Sequence, residues 1–344
     1  MNLHWSSLAY ALGQPTVTGV LRQRVDDFVV EEQLGFEPIG EGQHVWLWIE
    51  KRERNTQDIA QLLARHAGVR SNAVGFSGMK DRRAITRQWF SLDLAGKVGP
   101  DWSALSDDGL SILQATRHGK KLRRGVHKTN RFEITLRDLQ GDTATLHDRL
   151  TAIGQSGVPN YFGAQRFGRD EANLDWARRL FAGERINNRN KRSIYLSAAR
   201  SLLFNQLLSQ RVSEGTWQRA LEGDVMQLAG SHSIFVPEAI DETIQQRLME
   251  MDIHPTGPLW GRGELKSGGT VKAMEQQLAD AYPDYCQGLE QAGLKQERRS
   301  LRLAVKQLDW FQQGRQLTLG FELETGAYAT GVIRECIDVS DSDH

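Results

Sequence analysis

The apolar residues of this chain change period twice, and that change constrains the fold more than any single motif. Near the C-terminus Leu317, Leu319, Phe321 and Leu323 alternate strictly after a Gln312-Gln313-Gly314 turn, which predicts a hairpin with a partner strand over 301–308. Near the N-terminus Val45, Leu47 and Ile49 share one face of a strand over 44–50, with Trp46 and Trp48 on the other. Residues 28–32 form a second strand, across a turn at Gly40-Glu41-Gly42. Between these ends the period becomes helical: Leu196, Ala199, Leu203 and Leu207 recur at three and four residues within 193–212. Strand-rich ends around a helix-rich middle predict one domain inserted into another, which the closeness of termini in compact domains permits. At 344 residues the chain also exceeds the size at which one core keeps growing. The expected boundaries are 1–154 with 305–344 for the outer domain and 155–304 for the insertion, and the fold class is α+β.

Further elements follow the same signals. Asn55 and Thr56 can cap a helix carrying Ile59, Leu62, Leu63 and His66 and ending near Gly68. Strands are expected over 89–94 and 132–136, helices over 143–153, 170–181 and 271–282, and a short helix after Gly326. The acidic tail 338–344 reads as frayed. The start, MNLHWSSLAYALGQP, lacks the features of a signal peptide, and no apolar run is long enough for a membrane span, so the cytoplasm is the expected compartment. Cys286 and Cys336 are then expected as reduced, packed thiols. Nothing demands a partner chain, and a monomer is expected.

The net charge of zero hides an uneven distribution. Residues 113–192 carry 17 Lys and Arg against 8 Asp and Glu, within a chain that balances 43 against 43. Such asymmetry points to a polyanionic partner for one face. Within 118-HGKKLRRGVHKTNRF-132, Lys120, Lys121, Arg123, Arg124, Lys128 and Arg131 stand without an acid, and Leu122 and Val126 can anchor the loop to the core. Phosphates reward this arrangement through counterion release, although a solvated basic hairpin would look the same. A second cluster, Arg185, Arg189, Lys191 and Arg192, lies in ERINNRNKR. Asn130 and Phe132 project to the same face of an extended segment, an amide able to read a base edge beside a ring able to stack, unless Phe132 is simply core. In PNYFGAQRFG, Tyr161, Phe162 and Phe167 alternate with Asn160, Gln165 and Arg166, as either a ligand-facing path or a packed loop.

No metal or nucleotide cofactor is expected. The nine histidines form no i, i+3 or i+4 pair, and CxxC, HExxH and GxxxxGK[ST] are absent from the sequence.

The stretch GFSGMKDRRAITRQW holds one acid, Asp81, among Lys80, Arg82, Arg83 and Arg87. Neighbouring cations favour the ionised form, which suits a nucleophile or an electrostatic stabiliser better than a general acid. A salt bridge that only orders the loop remains the alternative.

GFSGMKDRRAITRQW, HGKKLRRGVHKTNRF, VPNYFGAQRFG, NKRSIYLSAARSLLFNQ and ETGAYATGVIRE together resemble the TruD family of bacterial tRNA pseudouridine synthases, which act on uridine 13 of tRNA. The resemblance spans nearly the whole chain. It implies a mixed, largely antiparallel-sheet catalytic domain interrupted by an α/β insertion specific to TruD, with tRNA as partner and no cofactor. It makes Asp81 the catalytic aspartate, puts Phe132 against the target base, and matches Asn130 and Lys80 to family positions. Two departures stand out. Thr129 occupies a position usually held by glycine, so the backbone there must avoid the left-handed region. Arg22 falls where lysine is common, exchanging a point charge for a planar fork.

Isomerising uridine breaks the sugar bond to N1, turns the captive base and rejoins the sugar to C5, with no redox change. Asp81 can attack the anomeric carbon, add to C6, or assist elimination to a glycal. The RNA-holding groups expected are Lys120, Lys121, Arg123, Arg124, Lys128, Arg166, Arg189, Lys191 and Arg192. A non-catalytic RNA-binding protein would need the same cations but no isolated acid. A carboxylate-dependent glycosidase would need a second acid, for which Glu31, Glu32 and Glu335 are candidates.

Overall fold

The computed structural model describes residues 5–341. The chain divides into two compact units, Thr16–His147 with Val305–Gly326 and Ile337–His344, and Met1–Pro15 with Asp148–Ala304 and Ala327–Cys336.

The first unit is built on a ten-stranded mixed sheet. Its early strands are β1 (Thr18–Leu21), β2 (Phe28–Gln33), β3 (His44–Arg52), β4 (Val74–Phe76), β5 (Ile85–Asp93), β6 (Leu110–His118) and β7 (Thr129–Gln140). The spatial order is Lys306–Gln313, Gln316–Glu324, β7, β2, β5, β3, β6, with β1 beside β7 and β4 beside β5. Pairing is antiparallel except between β2 and β5 and between β1 and Asp338–Asp341. One face of β3 and β5 packs Leu47, Ile49, Phe90 and Leu92 against Ile59 and Leu63 of α1 (Thr56–His66). The other face carries Trp46 and Trp89 with Leu34 and Leu122. The alternation read in 44–50 therefore serves two cores, which is why both of its faces are apolar.

Several local expectations change. Asn55 precedes α1 but its side chain makes no capping bond; Nδ2 donates to Asp58 Oδ2 at 2.9 Å instead. The strand expected over 301–308 is two strands, because Arg302–Leu303 pairs with Val158–Pro159 and the hairpin strand begins at Lys306. Its turn falls at Gly314, whose φ of +57° suits glycine. The acidic tail does not fray at once. Asp338–Asp341 satisfies the open edge of β1 in parallel register, Thr18 opposite Asp338, and residues 342–344 lie outside the described residues. Thr129 avoids the left-handed region, as expected, and it is Arg22 that adopts it, with φ of +57°.

In the second unit α2 (Thr145–Ser156) leads to α3 (Ala172–Phe181), which packs against the long helix α4 (Arg189–Ser213). Leu196, Leu203 and Leu207 of α4 enter a core with Trp217, Leu278 and Leu289, so the helical period marks a buried stripe. A four-stranded sheet runs Ile234–Phe235, Met226–Leu228, Ile253–Leu259, Glu297–Ser300. Arg211 of α4 and Asp224 form a buried pair at 3.0 Å. Tyr161, Phe162 and Phe167 are all buried, and Cys286 and Cys336 are free and buried. No described helix is long and apolar enough to cross a membrane.

Candidate active site

Asp81 sits in the loop between β4 and β5, and three fully buried polar side chains grip that loop by its backbone. Gln88 of β5 donates from Nε2 to the Gly78 carbonyl at 3.1 Å. Thr56, first residue of α1, accepts the Lys80 N–H at Oγ1 (3.1 Å) and donates to Gln88 Oε1 (2.9 Å). Lys51 of β3 donates from Nζ to the Asp81 carbonyl at 2.8 Å. All three residues have 0% exposure, so the loop rests on the sheet through a satisfied polar network. Burial lowers the Lys51 pKa from 10.5 to about 8, against the opposing pull of Asp81 and with help from Lys80.

Of the two glycines of GFSG, Gly75 is required by close approach, and Gly78 is closely packed. A Cβ on Gly75 would lie 2.3 Å from the Leu122 carbonyl oxygen, and one on Gly78 would lie 3.3 Å from His127 Cε1.

Lys80, Arg82 and Arg87 are turned elsewhere. Lys80 ion-pairs with Glu32 at 3.1 Å, with side chains only 6% and 0% exposed. Arg87 bridges Glu31 and Glu50, and Arg82 donates to the Glu53 carbonyl. The partner of the Asp81 carboxylate comes instead from 59 residues upstream: Arg22 Nη2 donates to Oδ2 at 3.1 Å. Arg22 is 7% exposed while the Asp81 side chain is 45% exposed, so a buried guanidinium presents an open carboxylate.

Around this pair lies an aromatic floor. The Arg22 guanidinium lies 4.3 Å from the Phe28 ring centroid. Phe28 meets Phe132 edge to face at 6.3 Å, and Phe132 stacks on Phe321 at 5.4 Å. β2–β7 pairing sets Phe132 opposite Val30 and Asn130 opposite Glu32. Asn130 Oδ1 is buried with no hydrogen-bond partner among the described residues. A buried amide oxygen left open in this way is an acceptor site for an N–H of a bound molecule.

Glu32 is the hub behind the site. Burial raises its pKa, opposed by Lys80, and its Oε1 accepts the Trp89 N–H at 3.4 Å. His127, whose pKa burial and Lys80 push down to about 4, is neutral and takes a hydrogen bond from Ser77 at Nδ1. The three acids considered as second carboxylates are each committed: Glu31 to Arg87, Glu32 to Lys80, and Glu335, in the other unit, to Arg334 and the backbone of Ala11 and Leu12.

A model of the family tRNA pseudouridine synthase D (TruD) matches residues 6–176 and 182–336. The chain belongs to the TruD family. A tRNA pseudouridine synthase D from Aeromonas hydrophila is 48% identical over 337 residues, covering 98% of this chain and 96% of the relative. One from Nitrosococcus oceani is 49% identical over 334 residues, covering 96% and 93%. A crystal structure from Methanosarcina mazei assigned to TruD shares the fold, with a TM-score of 0.72 at 21% identity and coverage of 96% of this chain and 95% of that one.

Within this TruD member the other sequence-derived residues are distributed over both units. In the first, Lys120, Arg123, Arg124 and Lys128 are exposed on the loop from β6 to β7, while the Lys121 ammonium donates to the Asn72 carbonyl. Leu122 anchors that loop, but Val126 is 37% exposed and His127 is the second anchor in its place. In the second unit Arg189, Lys191 and Arg192 are exposed in the first turn of α4, where no acid stands. Cations at the positive end of a helix repel it, a situation that a bound anion relieves. Arg166 is held by Ser197 and Tyr328, with its guanidinium 5.4 Å from the Phe162 ring centroid.

Sequence reading missed Lys51, Gln88 and Phe28, and assigned Thr56 to a cap. Each reads locally as an ordinary strand or helix position, and only the pairing of β3 with β5 brings Lys51 and Gln88 under the loop.

Proposed function

We propose that this chain isomerises uridine to pseudouridine in tRNA, at position 13, with Asp81 as the catalytic carboxylate. The observation that carries the reading is the open Asp81 carboxylate held at 3.1 Å by buried Arg22, whose guanidinium rests on the Phe28–Phe132 floor, in a TruD chain. Arg22 occupies Oδ2 and orients Oδ1 toward the ribose of the extruded nucleotide. Lys51, Thr56 and Gln88 hold the loop so that the carboxylate does not retreat as charge develops, the kind of preorganisation worth orders of magnitude in rate. Asn130 Oδ1 accepts the uracil N3–H, and the floor of Phe28 and Phe132 gives the base an apolar face to rest on.

The reaction is balanced within the nucleoside. The C1′–N1 bond breaks, the C1′–C5 bond forms, and a proton leaves C5 while one arrives at N1. Attack at C1′, addition at C6 and elimination to a glycal all require the carboxylate at the reacting nucleoside. The exposed cations Lys120, Arg123, Arg124, Lys128, Arg189, Lys191 and Arg192, with the half-buried Lys121 and Arg166, hold the phosphate backbone. Lys80 acts behind the site, neutralising Glu32. The enzyme works as a monomer in the cytoplasm, where its substrate is.

The test incubates wild type and Asp81→Asn with unmodified tRNA transcript and with a transcript carrying cytidine at position 13. Pseudouridine is mapped chemically, and RNA binding is measured in the same samples. Product at position 13 from wild type only, with both proteins bound, is the expected outcome. Product from Asp81→Asn at the wild-type rate would remove Asp81 from the chemistry, and product elsewhere in the transcript would overturn the assigned position.

A further inference from the structure

A cavity of about 520 Å³ opens around the His44 end of β3. Its walls include Phe36, His44, Trp46, His118, Lys120 and Arg123, and no carboxylate lines it. Seven residues of β3 separate His44 from Lys51, roughly 24 Å at about 3.4 Å per residue, so the His44 end of the cavity is remote from Asp81, while its opposite wall, Leu122 and Val126, belongs to the loop that packs on Gly75 and Gly78.

Its construction is that of a built site rather than a surface dent. The Trp46 indole is 1% exposed and locked by donation from Nε1 to the Lys120 carbonyl at 3.0 Å. The His118 ring lies 4.5 Å from the Trp46 ring, and Phe36 lies 5.8 Å from His118 and 6.1 Å from Trp46. Phe36 is nevertheless 42% exposed, an aromatic face offered outward beside two exposed cations. His118 accepts the Ile39 N–H at Nδ1, and burial, Lys120 and His44 lower its pKa, so its ring is a neutral stacking surface.

His44 supplies an independent sign. It is 5% exposed, lines the cavity, and its Nδ1 is buried with no hydrogen-bond partner among the described residues. Its Nε2 accepts from Gln43 Nε2 at 3.2 Å, which puts the ring proton on Nδ1 and leaves that N–H as the donor without a role. An unpartnered ring N–H in an aromatic, cationic and acid-free cavity matches a nucleotide: flat, anionic at the phosphate, and bearing carbonyl or ring-nitrogen acceptors on the base edge.

We propose that this cavity binds an unstacked nucleotide of the RNA substrate, distinct from the target uridine, with its base against Phe36 and His118, an acceptor atom of its edge taking the His44 Nδ1–H, and its phosphate between Lys120 and Arg123. The proposal rests on the reading of the chain as an RNA-modifying enzyme, and it adds a second base-holding point that would register the RNA at a distance from the chemistry. The site reads the presence of an unstacked nucleotide at a set spacing.

Two measurements on the full chain test it. The first compares KM and kcat for tRNA in wild type and Phe36→Ala, whose exposed ring can be removed without opening the core. Loss of one base stack should raise KM about tenfold with kcat unchanged. The second follows the His44 and His118 side-chain resonances while AMP, CMP, GMP, UMP or inorganic phosphate is added. Shifts with at least one nucleotide that phosphate does not reproduce are expected. An unchanged KM in Phe36→Ala, or histidine shifts that phosphate reproduces or that no nucleotide elicits, overturns the base pocket and leaves the role of Asp81 untouched. Absence of product from wild type defeats the Asp81 reading instead, and the nucleotide titration then decides the pocket by itself.

Discussion

Lys51→Met separates the contribution of Lys51 to catalysis from its contribution to folding. Lys51 is fully buried, and the drop of its pKa from 10.5 to about 8 means that holding it charged at pH 7 costs the fold about 3 kcal/mol, at about 1.4 kcal/mol per pH unit. Its bond to the Asp81 carbonyl at 2.8 Å returns about 1.5–3 kcal/mol, the range for a hydrogen bond to a charged group. Methionine fills similar volume and removes both terms, so stability at pH 7 should stay within about 1.5 kcal/mol of wild type. The pH dependence gives a sharper signature. Between pH 8 and 10.5 unfolded Lys51 still binds its proton while native Lys51 has released it, so wild type gains stability with rising pH relative to the variant, by up to about 3 kcal/mol. Activity should respond in the opposite sense. With the carbonyl anchor gone the Asp81 loop is free to shift, and a displacement near 1 Å can lower kcat about 100-fold. Urea unfolding of both proteins at pH 7 and pH 10, paired with single-turnover pseudouridine formation on tRNA, measures all three quantities. An unaltered kcat, or a stability difference that does not change with pH, would refute the assignment of Lys51 as a buried anchor of the catalytic loop.

Other consequences follow from neighbouring groups. Lys80→Met should destabilise the protein by about 3–5 kcal/mol at pH 7, because it leaves Glu32 buried without its counterion. The Glu32 pKa is already raised, so its contribution is largest below pH 4.5 and lost as pH rises through the native value. The deficit of the variant should therefore shrink between pH 7 and pH 5, and a deficit independent of pH in denaturant melts would contradict the pairing. Arg123→Glu with Arg124→Glu should weaken tRNA binding and reduce the slope of log affinity against log salt by about 1–2, each cation accounting for roughly one released counterion. An unchanged slope in filter-binding titrations would place those side chains off the RNA.

Much of the architecture was legible because period is a local property. The alternation in 317–323 and the helical stripe of 193–212 appear as the strand Gln316–Glu324 and as α4, since a side chain's face depends only on its place in the repeat. The basic loop between β6 and β7 was legible for the same reason. Its anchors were half legible: Leu122 is buried as expected, whereas His127, a polar residue, does what Val126 was expected to do. The first hairpin strand starts at Lys306 rather than at residue 301 because Leu301 and Leu303 belong to the other unit from the residues that follow them, and strand boundaries answer to packing rather than to composition.

What the sequence determined by itself was the inventory: one acid in a cationic stretch, an amide and a ring two residues apart, basic clusters, and the order of strands and helices. What the tertiary structure alone decided was which charge faces which. Lys80, covalently next to Asp81, is turned to Glu32, and Arg22, 59 residues away, takes the carboxylate. Adjacent side chains on an extended backbone point apart, whereas residues brought together by strand pairing and loop closure share one environment. A covalent neighbour therefore need not be an electrostatic one. The same holds for Lys51, Thr56 and Gln88, three unremarkable positions in the chain that become a single support once β3, β5 and α1 are assembled.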